Sequence, residues 1–169
     1  PSPFATVTEI IHALNTGECT SLELVEQSLE RIAQHDEKLH AFIDVYADEA
    51  RQAARSADLA RQAGCSLGPL HGIPVALKDL VEIEGRVTTN GCISAAQRRS
   101  DHTATIVHRL QQAGVIVLGK THMVELATGG WGSNSRMGTP WNPWDPEHPR
   151  TPGGSSSGSA VAVAAGLVP

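Results

Sequence analysis

At 169 residues, with 40% hydrophobic and 18% charged residues, the chain is long enough for one domain with a real core and too apolar to be disordered. A net charge of −5 and a pI of about 5.9 exclude nucleic-acid backbone binding as the main role, which needs a basic footprint. No run approaches the ~20 apolar residues of a membrane-spanning helix, and Pro1-Ser2-Pro3-Phe4 shows no basic region followed by an apolar core, so no secretory leader is expected from it.

Thr6 to Asn15 places Val7, Ile10, Ile11 and Leu14 on one helical face, and Gly17 breaks the pattern. Thr20-Ser21-Leu22-Glu23 reads as a capping box that opens a helix carrying Leu22, Val25, Leu29 and Ile32. A third helix, from about Tyr46 to Ala63, has an alanine-rich apolar side; it either lies close against a neighbour or is largely solvated. Residues 1–63 are therefore expected to form a helical layer without chemistry of its own. The character changes at Gly64. Leu67 to Gly72 is a predicted loop, and Ile73-Pro74-Val75-Ala76-Leu77, apolar on both faces, is a predicted buried strand, with Pro74 tolerable only at its start or on an edge. Thr103 to Ala113 is a predicted helix with Ile106, Val107 and Leu110 inward, ended by Gly114. Val115-Ile116-Val117-Leu118 is a second buried strand. This rhythm is that of an α/β protein, so residues 64–169 are expected to begin its core. Gly129 to Pro152 is a long segment of turns, and long loops in compact domains are often functional.

The chain's most unusual stretch is Thr151-Pro152-Gly153-Gly154-Ser155-Ser156-Ser157-Gly158-Ser159-Ala160. Glycines allow close backbone approach, serines supply hydroxyls that donate, accept or attack, and a helix starting here aims its free N–H groups into the loop. A flexible linker does not fit, because the run Ala160 to Ala165 that follows is apolar on every side and reads as buried. A P-loop lacks its Gly-Lys-Ser/Thr. Gly154-Ser155-Ser156-Ser157-Gly158 matches the G-x-S-x-G nucleophile elbow, with Ser156 as nucleophile, but Pro149 and Pro152 stand where the preceding strand should run. Lys78 closes an otherwise uncharged strand. It either snorkels to the surface or sits desolvated, where its ammonium is disfavoured and it becomes a usable base. Asp79 beside it reads as a salt-bridge partner for another group. Trp131, Trp141 and Trp144 either pack the long loop onto the core or, in the case of Trp131, wall a pocket. Eight histidines form no metal-ligand pair, so a metal site has no support. Cys19, Cys65 and Cys92 form no motif and cannot all pair, which points to free thiols in a reducing cytoplasm.

Four segments in order resemble the amidase signature family: Gly72-Ile73-Pro74-Val75-Ala76-Leu77-Lys78-Asp79; Gly119-Lys120-Thr121-His122-Met123 with Glu125; Asn142-Pro143-Trp144; and Pro152-Gly153-Gly154-Ser155-Ser156-Ser157-Gly158-Ser159-Ala160. The resemblance covers essentially the whole chain. It implies an α/β fold with a mixed β-sheet core sandwiched by helices, and hydrolysis of a carboxamide through a Ser–cis-Ser–Lys triad without a cofactor. By that resemblance Lys78 is the family lysine and Ser155 the bridging serine, held by a cis peptide bond, with Ser156 supporting the network. Gly129, Gly130 and Trp131 fall where the family lines the scissile amide. Ser157 stands where many members have Gly. The family's nucleophile, in a Gly-Gly-Ser turn, and its oxyanion hole are expected beyond residue 169, so the chain reads as the N-terminal portion of a longer protein, inactive alone. The implied partners are a small-molecule amide, the remainder of the polypeptide, and a second copy or amidotransferase subunits, with no direct nucleic-acid or membrane contact. A glutaminase-type subunit of an amidotransferase and a non-catalytic assembly subunit are the alternative roles.

Overall fold

The computed structural model describes residues 1–65 and 68–169; the Leu67 end of the predicted 67–72 loop lies outside the described residues. Helix α1 (Val7–Thr16) starts where Thr6 Oγ1 accepts the Glu9 N–H and the Glu9 carboxylate accepts the Thr6 N–H, and it ends on Gly17 at φ 75°. Ile10, Ala13 and Leu14 take its buried face, while Val7, expected inward, is 39% exposed at the first turn. Helix α2 (Ser21–Leu39) opens on the predicted Thr20–Glu23 box. Its next two free amides, Ser21 and Leu22, donate to the carboxylate of Asp58 at 2.7 and 3.0 Å. Asp58 lies on helix α3 (Ala47–Gln62), so one side chain caps α2 and ties it to α3. Ala50, Ala54 and Ala57 are buried in the cluster that also holds Val25, Leu29 and Ile32 of α2, which settles the alanine face as a close-packing one.

Between these helices the chain departs from the all-helical expectation for residues 1–63. The Asp36 carboxylate accepts the N–H groups of Ala41 and Phe42 at 2.7 and 3.0 Å, turning the chain into strand β1 (Phe42–Val45). Burial pushes the Asp36 carboxyl upward, against these two hydrogen bonds. Four residues between two helices are too few for a period-2 signature.

Strand β2 (Pro74–Lys78) begins on its proline, the position such a residue tolerates. Strand β3 (Ile116–Thr121) lies in the middle of the sheet, order β1-β3-β2, antiparallel to β1 and parallel to β2. The parallel pair is joined through helix α4 (Thr105–Gln112), as a parallel crossover requires. Val107 is fully buried there, whereas Ile106, expected inward, is 55% exposed. Adjacent helical residues point about 100° apart, and in this short helix only the stripe through Val107 meets the core. At Gly119 an added Cβ would fall on the Asp44 carbonyl oxygen, so β1 closes on β3 only over a glycine. Helix α5 (Ser157–Ala164) packs Val161 and Ala162 inward, but Ala160 and Ala164 are exposed and Val163 is 53% exposed. The expectation that this run is buried on every side is therefore corrected. Small apolar residues all round a helix carry no pattern that says which face meets the sheet. Among the described residues no helix is long and apolar enough to cross a membrane.

Candidate active site

The last residue of β2 and the start of α5 meet. Lys78 Nζ donates to Ser155 Oγ at 2.7 Å, across 77 positions of sequence. Burial pulls the Lys78 ammonium below its ordinary value of 10.5. The Gly154–Ser155 peptide is cis. The Ser155 carbonyl accepts the Val124 N–H at 3.1 Å, fixing the serine to the segment that follows β3. Ser156, the N-cap of α5, is exposed and makes no side-chain cap bond. Ser157 is wholly buried in the first turn, its hydroxyl without a partner among the described residues. Ser159 pairs its hydroxyl with Thr121 Oγ1 at 2.8 Å, a second tie between α5 and the end of β3.

Gly158 makes the close approach possible. Its N–H donates to the His122 carbonyl at 2.9 Å, and an added Cβ would stand 2.5 Å from the His122 nitrogen and closer still to the Ala41 carbonyl oxygen. The His122 side chain is buried, and burial holds its imidazole below the ordinary 6.5.

The predicted substrate loop adjoins the serine. Leu126 and Ala127 take left-handed φ of 50° and 56°, a conformation L-residues rarely adopt in succession. The chain that follows packs Gly132 against Gly153 and Gly154, and the Trp131 carbonyl accepts the Thr151 hydroxyl. A cavity of about 520 Å³ opens beside this segment, lined by Glu125, Gly129, Trp131, Asn134 and Arg136 among others. Gly129 and Trp131 border it; Gly130 does not line it. Trp131 is 77% exposed, and Trp144 is exposed as well. Trp141 alone of the three is half-buried: its indole N–H donates to the Asp145 carbonyl at 2.9 Å, and the ammonium of Lys38 on α2 stands over its ring at 5.5 Å. Asn134 is the loop's buried anchor, its amide donating to the carbonyls of Gly91 and Met123. Asn134, Thr121 and Ser159 were not singled out as site residues; Thr121 and Ser159 lie within the motifs, and nothing local marks Asn134. Among the described residues no group of three or more His, Cys, Asp or Glu side chains is placed to hold a metal ion.

This helix-flanked mixed sheet, with a lysine and a cis serine in contact, has the architecture of amidase signature enzymes. A family model described as Amidase matches residues 23–169, and the chain belongs to that family. It is 46% identical over 167 residues to the A subunit of glutamyl-tRNA(Gln) amidotransferase from Chloroflexus aurantiacus, covering 97% of this chain and 33% of the relative. It superposes with TM-score 0.88 and 37% identity on the peptide amidase of Stenotrophomonas maltophilia, covering 97% of this chain and 34% of that one. A structure described as a vestigial protein complex that reveals the evolutionary origins of an s-triazine catabolic enzyme matches with TM-score 0.92 and 36% identity, over 98% of this chain and 36% of that one. The chain thus spans about a third of the length of the relatives it matches.

Proposed function

We propose that this chain carries the lysine and bridging serine of an amidase that cleaves a carboxamide C–N bond through an acyl-enzyme. The observation that carries the reading is the 2.7 Å contact of Lys78 Nζ with Ser155 Oγ, in a setting that lowers the lysine's proton affinity. Neutral Lys78 takes the Ser155 proton while Ser155 takes that of a nucleophilic serine expected beyond residue 169. The nucleophile adds to the amide carbonyl, and the relay returns the proton to the leaving amine. Water then resolves the acyl-enzyme. Ser156 supports the hydroxyl network, and Gly129, Gly130 and Trp131 border the scissile amide. Without the following segment this chain alone is inactive. The full protein works in the cytoplasm without a cofactor, either as a homodimer or with partner subunits.

A glutaminase-type role, in which released ammonia feeds a partner's amidotransfer, is favoured by the 46% identity to the A subunit of an amidotransferase. The test is ammonia release by the full-length protein from L-glutamine, benzamide and a C-terminally amidated dipeptide, with Lys78→Ala and Ser155→Ala as comparators. Turnover of benzamide or the dipeptide amide supports a free-standing amidase, and turnover of glutamine alone supports the amidotransferase role. Undiminished turnover in Lys78→Ala overturns the relay, and no turnover of any amide by the unmodified protein leaves it a binding or assembly subunit.

A further inference from the structure

The proposed relay leaves a buried ion pair unused. Lys120 is wholly buried, the largest such side chain among the described residues. Its Nζ donates to Asp79 Oδ1 at 3.1 Å and to Thr88 Oγ1 at 3.0 Å. Asp79, itself 1% exposed, also accepts the Thr89 N–H at 3.0 Å and the Thr89 hydroxyl. Burying an ion pair costs desolvation that apolar residues of similar volume would avoid, so stability alone explains it poorly.

Its position suggests another purpose. Asp79 directly follows Lys78. In the parallel pairing Leu77 stands opposite Lys120, and Lys78 opposite Thr121. Alternation along strands sends Lys78 and Lys120 to opposite sides of the sheet. The contacts agree: Lys78 and Thr121 meet Ser155 and Ser159, whereas Lys120 meets Asp79 and Thr88. The Asp79 backbone is tied at both ends, its N–H to the Thr121 carbonyl at 3.0 Å and its carbonyl to the Asn90 N–H at 3.1 Å.

We propose that the buried Lys120–Asp79 ion pair is a positioning device for Lys78, pinning the end of β2 against β3 and cancelling the carboxylate next to the base. The inference rests on Lys78 being that base. An uncancelled carboxylate one residue away would hold Lys78 protonated, and an unpaired ammonium behind the sheet would do the reverse. The other charged or titratable groups acting on the pair are Asp44 on β1, His122 after β3, Tyr46, and Glu82 with its partner Arg98 in the connection after β2. Burial draws Lys120 toward its neutral form, and Asp79 opposes this.

The test is the pH dependence of serine phosphonylation in the full-length protein by a fluorophosphonate reporter, a readout independent of substrate identity. The serine oxygen bonds phosphorus, fluoride leaves, and the proton passes to the relay. Lys120→Met is expected to move the acid limb upward by about one pH unit, and Asp79→Asn to move it downward by a similar amount. The double variant should return it to the wild-type position. Lys120→Gln, which keeps a donor toward Asp79, substitutes if Lys120→Met does not fold, and its limb should move the same way. Limbs that stay in place while only the melting temperature falls overturn the inference and leave the pair structural. Labelling of Lys78→Ala at the wild-type rate and pH dependence instead overturns the relay itself.

Discussion

Replacing Gly158 by Ala tests whether the seating of α5 on the sheet sets the Lys78–Ser155 contact. The new Cβ would stand 2.5 Å from the His122 nitrogen, where real Cβ contacts begin near 3.0 Å, and closer still to the Ala41 carbonyl oxygen. Both obstacles are backbone, so no side chain can swing aside; the helix must retreat by at least about 0.5 Å, the difference between those distances. The Gly158 N–H to His122 carbonyl bond lengthens with it. If Ser155, two residues before α5, moves with that helix, its 2.7 Å bond to Lys78 stretches to the limit of the ~2.6–3.2 Å over which a proton passes directly. Overpacking of this kind costs about 1–3 kcal/mol, and misplacement of up to about 1 Å costs up to roughly a hundredfold in rate. The expected outcome in the full-length protein is therefore a melting temperature several degrees lower and a kcat reduced about tenfold to a hundredfold, with KM nearly unchanged. A Gly158→Ala protein with wild-type kcat and melting temperature would refute the argument that this glycine seats the site.

Three further outcomes follow from the structure. Burial lowers the Lys78 pKa from 10.5, so the unfolded chain holds this proton to higher pH than the folded one; the lysine's contribution to stability therefore rises with pH from its lowered value up to 10.5. Urea midpoints measured across alkaline pH should climb less steeply in Lys78→Met, and identical slopes would contradict the assignment. Trp131→Ala should raise KM for the amide substrate while changing stability by no more than about 0.5 kcal/mol, since Trp131 is 77% exposed. Trp141→Ala should cost about 3 kcal/mol or more, since its ring is packed against the core, and equal melting temperatures for the two variants would be inconsistent with this. Cys65 is exposed and Cys19 buried, with burial pushing the Cys19 thiol up. A thiol-reactive dye should label Cys65 in the native protein and Cys19 only on unfolding; equal rates would refute the burial.

The helix starts at Thr6 and Thr20, the glycine stop at Gly17 and the apolar runs of β2 and β3 were all legible in the sequence, because each depends on residues within a turn or on a run of like side chains. Lys78 and Ser155 were singled out by resemblance, and the fold brings them into hydrogen-bond contact, whereas local chemistry alone left the lysine open between snorkelling and desolvation. Asp79 was readable as a salt-bridge partner, but its mate was not. Tertiary structure supplied that mate, Lys120, from 41 residues away. It also decided that Phe42–Val45 is a strand, because β3 offers that segment a partner edge. It turned Ile106 outward because α4 has one narrow inward stripe, and it exposed Val163 because a helix of small apolar residues has no intrinsic inner face. The physical reason is common to these cases. Caps, turns and periodicity are written in near neighbours, whereas burial of a charge, the partner of a strand and the inner side of a uniform helix depend on chain that arrives from far away.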